Sequence, residues 1–279
     1  MADRLAYLGP AGSYCEQAAI AYGSNADLVP FTGIPAVVAS VDQGLAEEAV
    51  VPIENSLEGG VTFTLDLLIH QTDLKIKHEV VVPIEHCLLV DGDLTAADIQ
   101  AVYSHPQGLA QCRAYLTRNM PDAVHVASLS TSGAVEDMRN STVPAAAISS
   151  LRAAQLYDAR ILKRGIEDEH NNQTRFVVLA QDDQARTGTD KTSICFDFGS
   201  DAPGMLHAAL GELASRGINL VKIESRPDRR SLGRYVFLID MEGHRDDPDV
   251  ADALAALESA ASMFKVLGSY PMSVNSAVK

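Results

Sequence analysis

Short apolar runs alternate with polar, turn-forming stretches through the first 180 residues. Residues 5–8, 28–31, 50–53, 101–104, 124–127, 145–148, 160–166 and 176–180 have the length and composition of strands. Helical patterns lie between them. Ser13 and Glu16 have capping-box spacing and predict a helix that stops at Gly23. Pro35 opens a second helix reaching about Gly44, and further helices are predicted over 61–70, about 109–118, after Gly133, and from Ser150 to Tyr157. Thr95 and Asp98 cap a short one. Residues 74–89 read as long extended segments, with Lys75 and Lys77 facing away from Ile76, and are long enough to cross between two lobes. A repeated βαβα order predicts an α/β unit on a parallel sheet with helices on both faces.

The pattern changes after residue 182. Residues 183–190 carry no apolar period and read as a linker. Beyond it Thr192, Ile194, Phe196 and Phe198 alternate as a strand. Pro203-Gly204 opens a helix that Gly217 ends, and strands at 220–224 and 235–241 flank a basic turn with Arg229, Arg230 and Arg234. An Ala/Leu helix over 250–261 and a strand at 264–267 complete the order βαββαβ, the ferredoxin-like split unit. It has no nucleophile–base pairing and no metal-ligand spacing, so its expected role is binding or dimerisation.

Charge and composition narrow the function. The formal net charge is −15, with 22 basic and 37 acidic residues, which argues against nucleic acid and anionic membranes as partners. Residues 1–190 hold 12 basic and 25 acidic side chains, against 10 and 12 in 191–279. An anionic substrate therefore meets no favourable long-range field in the first part and needs local donors. Cys15, Cys87, Cys112 and Cys195 lie far apart in sequence and read as free thiols of a reducing, cytoplasmic setting. No signal peptide and no bilayer-spanning stretch is legible.

Polar groups collect where predicted strands end. The strand at 50–53 runs into Glu54-Asn55-Ser56-Leu57-Glu58-Gly59-Gly60, an acid, an amide and a hydroxyl followed by two glycines that admit a ligand to the backbone. The competing reading is a polar loop with Ser56 as a helix cap. Gly9-Pro10-Ala11-Gly12 followed by a capped helix is a weak anion cradle. Asn171-Asn172-Gln173-Thr174-Arg175-Phe176 is a polar loop entering a buried strand, where Thr174 and Phe176 share one face and Arg175 takes the other. His105 has no ligand spacing with His70, His78, His86, His125 or His170 and reads as a cap or loop residue, so no metal is expected.

Taken in order, these segments resemble a known family. Gly9-Pro10 with Gly12 and Glu16-Gln17-Ala18-Ala19, Pro52-Ile53-Glu54-Asn55-Ser56 with Gly59-Gly60, Ser104-His105-Pro106-Gln107, Ser130-Thr131 with Ala134, and Thr174-Arg175-Phe176 resemble the catalytic domain of prephenate dehydratases. Residues 191–279, with Glu224-Ser225-Arg226-Pro227, resemble their ACT regulatory domain. The resemblance implies a two-lobed fold like a type 2 periplasmic binding protein over 1–182, its lobes being roughly 1–76 with 170–182, and 77–169. It implies a cofactor-free decarboxylative dehydration of prephenate to phenylpyruvate, CO2 and water. It makes Thr174 the catalytic hydroxyl, with Glu54 either a relay to it or an orienting group. Asn55, Ser56, Gln107, Thr131, Ser132 and Arg175 would anchor substrate, and Phe176 would pack against the ring or shape the cleft. Phenylalanine is the implied effector at an ACT dimer interface, touching Asp201, Gly204, Met205, Leu206, Glu224, Ser225, Arg226 and Pro227, in a homodimer or homotetramer. With no chorismate mutase segment before residue 1, the expected form is the monofunctional one. Ser13-Tyr14-Cys15 depart from the usual Thr-Phe-Ser/Thr, Val221 from a hydroxyl residue and Met205 from Ala. Arogenate dehydratase, or a sensor protein on the same fold, are the competing assignments.

Overall fold

A computed structural model describes residues 4–199, 202–229 and 233–273. The chain divides into two compact units, Met1–Val61 with Val80–Phe176, and Thr62–Glu79 with Val177–Lys279. Residues 62–79 and 177–182 thus group with the carboxyl-terminal unit, whereas the sequence reading assigns them to the first domain.

The chain opens with β1 (Arg4–Leu8), α1 (Tyr14–Tyr22), β2 (Asp27–Phe31), α2 (Ile34–Asp42) and β3 (Glu48–Asn55). β1 pairs in parallel with both β2 and β3, as helical crossovers require. Ser13 caps α1 by accepting the Glu16 N–H at 3.2 Å. The Glu16 carboxylate does not return to Ser13. It accepts Gly12 N–H at 2.7 Å and pairs with Arg152 at 3.1 Å, which fixes the Gly9–Gly12 turn. The stretch 54–60, read from sequence as a ligand site with a polar loop as the competing reading, is a tight hairpin. β4 (Gly59–Gly60) folds back antiparallel on the end of β3, setting Asn55 opposite Gly59 and Glu54 opposite Gly60. Gly59 has φ +80°, a conformation a side chain would strain.

α3 (Thr62–His70) and β5 (Lys75–Pro83) follow. A second sheet is built from β6 (Cys87–Val90), β7 (Ala101–Ser104), β8 (Val124–Ala127), β9 (Ala145–Ser149) and β10 (Arg160–Arg164), in the order β10-β6-β9-β7-β8. It is mixed and not purely parallel. β7, β8 and β9 are parallel, and β6 runs antiparallel to both of its neighbours, β10 and β9. Both faces are covered. Cys87, Leu89 and Ala147 pack with Ala134, Val135 and Met138 of α6 (Ala134–Arg139) and Ala153 of α7 (Leu151–Leu156). Leu88, Val90 and Ile148 pack on the other side with Leu116, Met120 and Ile166. Each fully buried Leu or Ile there contributes about 1.5–3 kcal/mol.

One helix expected over 109–118 is two, α4 (Pro106–Gln111) and α5 (Arg113–Asn119), with the break at Cys112. The first starts early because Pro106 suits the first turn and His105 Nδ1 accepts the Gln107 N–H at 3.3 Å. β11 (Gln173–Ala180) completes the first sheet, whose order is β2-β1-β3-β11-β5 with β4 on β3.

The rest of the second unit is β12 (Asp190–Asp197), α8 (Met205–Ala214), β13 (Leu220–Pro227), β14 (Tyr235–Glu242), α9 (Pro248–Ala260) and β15 (Met263–Pro271). The βαββαβ order forms an antiparallel sheet β13-β14-β12-β15. Ile194, Phe196, Ile239 and Met241 pack under Ala209, Leu213, Val250 and Leu257 of the two helices. The unit also holds charge pairs. Lys191 meets Glu79 at 2.9 Å, with side chains 7% and 3% exposed, and Asp66 of α3 pairs with Arg226 at 3.4 Å and with Arg229.

Candidate active site

The end of β3 lies beside the start of β11. Ser56 N–H donates to Gln173 O at 2.9 Å, and Gln173 N–H donates to Ser56 Oγ at 2.9 Å. These bonds begin the strand three residues before its apolar run, so Thr174 sits in regular extended backbone. Alternation then decides which side chains meet. Asn55 and Thr174 turn together, while Glu54 and Arg175 turn together elsewhere.

Asn55 is 8% exposed and fully engaged. Its Oδ1 accepts the N–H groups of Leu57 at 3.0 Å and Glu58 at 3.1 Å, which fixes the amide orientation. Its Nδ2 therefore donates, to Asn172 Oδ1 at 2.8 Å and to Thr174 Oγ1 at 2.9 Å. Thr174 is an acceptor in that bond, so its own proton is left for a ligand. Asn172 Nδ2 continues to Gln111 Oε1 at 3.3 Å, and His86 Nε2 lies 2.9 Å from the same oxygen. Burial lowers the His86 pKa and raises that of Tyr14 well above its ordinary value, so both are uncharged at neutral pH.

These groups line a cavity of about 90 Å³ that includes Asn55, His86, Gln111, Thr131, Asn172 and Thr174. Tyr14, His105, Gln107 and Thr131 also line a second cavity of about 420 Å³, together with Ser13, Ser130, Ser132 and Ser150. Neither lining contains Asp, Glu, Lys or Arg. Ser132 Oγ and Gln111 Nε2 are buried without a protein partner, which leaves two hydrogen-bonding groups for a bound molecule.

Of the residues singled out from sequence, Asn55, Gln107, Thr131, Ser132 and Thr174 line these cavities. Four do not. Glu54 and Arg175 pair with each other at 3.0 Å and line neither cavity. Ser56 joins the hairpin to Gln173, and Phe176, 1% exposed, is core. Tyr14, His86, Gln111 and Asn172 are additions. The doubled amide Asn171-Asn172 and the Ser13-Tyr14-Cys15 departure are the sequence signals that lay near them. Among the described residues no cluster of His, Cys, Asp and Glu is arranged to hold a metal ion.

Residues 5–184 match the family model "Prephenate dehydratase". The chain belongs to the prephenate dehydratase family. Residues 193–259 match the ACT domain. A bifunctional chorismate mutase/prephenate dehydratase of Aquifex aeolicus is 42% identical over 273 residues, spanning 96% of this chain and 73% of that protein. The solved structure of a prephenate dehydratase from Arthrobacter aurescens in complex with L-Phe has a TM-score of 0.89 at 36% identity, covering 96% of this chain and 90% of that one. Another, GqqA, described as a novel type of quorum quenching acylase, has a TM-score of 0.86 at 32% identity over 97% and 98%. Membership in the prephenate dehydratase family also directs attention to the ACT residues. Gly204, φ +90°, caps α8, and Met205 and Leu206 form its first turn. Ile223 is opposite the core residue Ile239, whereas Glu224 is opposite Leu238 and so points to the other face. Arg226 lies on that face too, pairing with Glu224 at 3.1 Å, and Glu224 also meets Lys222 at 3.2 Å. Ser225 and Pro227 share the alternation of Ile223. Within one chain the α8 turn and the Glu224 carboxylate therefore serve opposite faces of the sheet. Asp201 lies outside the described residues.

Proposed function

We propose that this protein converts prephenate to phenylpyruvate, CO2 and water, with Thr174 as the group that assists departure of the ring hydroxyl. The observation that carries the reading is the Asn55 Nδ2–Thr174 Oγ1 bond, which leaves the threonine proton for substrate. As the ring C–O bond breaks, the departing hydroxide takes that proton. The C–C bond to the ring carboxylate supplies the electron pair that completes the aromatic ring, and CO2 leaves. A threonine hydroxyl is too weak an acid for the ground state. It suits a leaving group whose conjugate acid is water, pKa about 15.7. Asn55 Nδ2–H stabilises the charge that develops on Oγ1, and solvent returns the proton. A lining without Lys or Arg leaves the ring carboxylate without a stabilising cation, which favours its loss as CO2.

The same linings carry no carboxylate to receive an ammonium group, which supports the keto acid prephenate over the amino acid arogenate. An acylase needs a nucleophile joined to a base. Thr174 Oγ1 is joined to an amide instead. Turnover of the purified protein with prephenate, arogenate and an N-acyl amide side by side tests these readings. Phenylpyruvate absorbance from prephenate alone is expected, and hydrolysis of the amide without dehydration would defeat the assignment.

Phenylalanine as effector is supported by the ACT match and by the L-Phe complex of the Arthrobacter relative. The edge strand β13 carries Val221 and Ile223, each 44% exposed, and supports pairing with a second copy as a homodimer, or as a homotetramer built from it. Calorimetry with phenylalanine should show binding by the intact protein. No heat at millimolar concentration would leave the ACT unit a purely structural role. Buried free cysteines suit a reducing cytoplasm, and no helix among the described residues is long and apolar enough to cross a membrane.

A further inference from the structure

We infer that His86 is a positioning residue of this site: neutral, with its proton on Nε2, it holds the Gln111 amide so that the Gln111 N–H groups serve the cavity. The orientation follows from one fixed point. Two backbone N–H groups, of Leu57 and Glu58, make the Asn55 oxygen an acceptor, so Asn55 Nδ2 faces Asn172. The Asn172 atom it meets must be Oδ1, which turns Nδ2 of Asn172 toward Gln111. The Gln111 atom there must accept, so it is Oε1. The same oxygen lies 2.9 Å from His86 Nε2, and that nitrogen must then carry a hydrogen. Gln111 Nε2 is left buried and unpartnered in a residue that lines the cavity.

The other end of the imidazole is held as well. His86 Nδ1 is 3.1 Å from the Tyr14 hydroxyl, whose oxygen is 2.7 Å from Glu85 O. The phenolic proton lies in the short bond to Glu85 O, so the longer Nδ1 contact is its weaker, shared branch, and the tautomer is set from the Gln111 side. The His86 backbone N–H donates to Glu167 Oε2 at 2.8 Å, and the residue is 2% exposed. The opposite tautomer would place a bare Nε2 against Gln111 Oε1. Gln111 would have to flip, setting N–H against N–H at Asn172 and removing its free donors from the cavity. His86 lines the cavity, and its effect on substrate is exerted by holding the Gln111 amide.

Two measurements test this. Imidazole ¹⁵N–¹H correlation spectra of the wild-type protein read the tautomer directly and need no turnover. A protonated Nε2 and bare Nδ1 for His86 are expected, and the reverse would overturn the inference. The kinetic readout rests on the dehydratase reading above. His86→Leu should raise the KM for prephenate about tenfold, as for one lost hydrogen bond, with a smaller effect on kcat. His86→Gln, which restores an N–H donor, should recover most of that loss. In a Gln111→Ala background the same His86→Leu change should alter KM by less than about threefold, because the two residues act as one unit. A full His86→Leu effect in that background would assign His86 a merely structural role and overturn the inference. Absence of prephenate turnover by the wild-type protein would defeat the functional reading instead, and the tautomer spectrum would still decide where the proton sits.

Discussion

Asn55→Asp is nearly isosteric and changes one property, the donor. In the native site Asn55 Oδ1 accepts from Leu57 and Glu58, and a carboxylate keeps both bonds, so the hairpin survives. On the other side the change reverses the chemistry. The donor to Thr174 Oγ1 at 2.9 Å becomes an acceptor and draws in the threonine proton that substrate needs. Asn172 Oδ1, 2.8 Å away, then faces a second acceptor, a cost of about 1–3 kcal/mol in stability. Loss of a positioned transition-state donor predicts a fall in kcat of roughly 10²- to 10³-fold, about 3–4 kcal/mol. The assay is phenylpyruvate absorbance under saturating prephenate, with urea unfolding in parallel to account for stability. A buried carboxyl among acceptors has a raised pKa, and its protonated form donates as the amide does. The variant should therefore regain activity relative to wild type as pH falls from about 8 to about 6. A variant with kcat within about threefold of wild type and no such pH response would refute the role given to Asn55 and, with it, the orientation of the Thr174 proton.

Thr174→Ala should lower kcat by roughly 10²-fold or more with little change in KM, and retention of wild-type kcat would remove Thr174 from the mechanism. His86 contributes a stability term of known sign. Burial lowers its folded pKa below the ordinary 6.5, so the term is complete above that value and is lost as pH falls below it. Urea midpoints should thus drop less between about pH 7 and pH 5 in His86→Gln than in wild type, and parallel drops would refute the shift. Burial pushes the Cys15 thiol up to about 12, Cys87 to about 11 and Cys195 to about 12, and raises Cys112 as well. Native protein should therefore give almost no fast reaction with a disulfide reagent, against four thiols after denaturation, and rapid native reaction would contradict the burial.

Local chemistry made much of the architecture legible in the sequence. Apolar runs of strand length, the Ser13 and Thr95 caps, Pro35 and the βαββαβ order all correspond to elements of the fold, because each depends on residues within one turn or one strand. The motif order was enough to imply the family and to single out Asn55 and Thr174. What sequence could not supply was which side chains meet. Asn55 and Thr174 are 119 positions apart, and their contact exists only because the 54–60 segment closes as a hairpin against the start of β11. The same pairing turns Glu54 and Arg175 toward each other, and alternation puts them on the side of the strands away from Thr174. Sheet direction was also out of reach, since β6 has the same apolar run whether its neighbours are parallel or antiparallel. His86 and Gln111 carry no local pattern of their own, and Tyr14 and Asn172 carry none that points to these partners. Their roles come from amide orientation, a constraint that passes from one hydrogen bond to the next through space, and only the folded chain brings those groups within bonding distance.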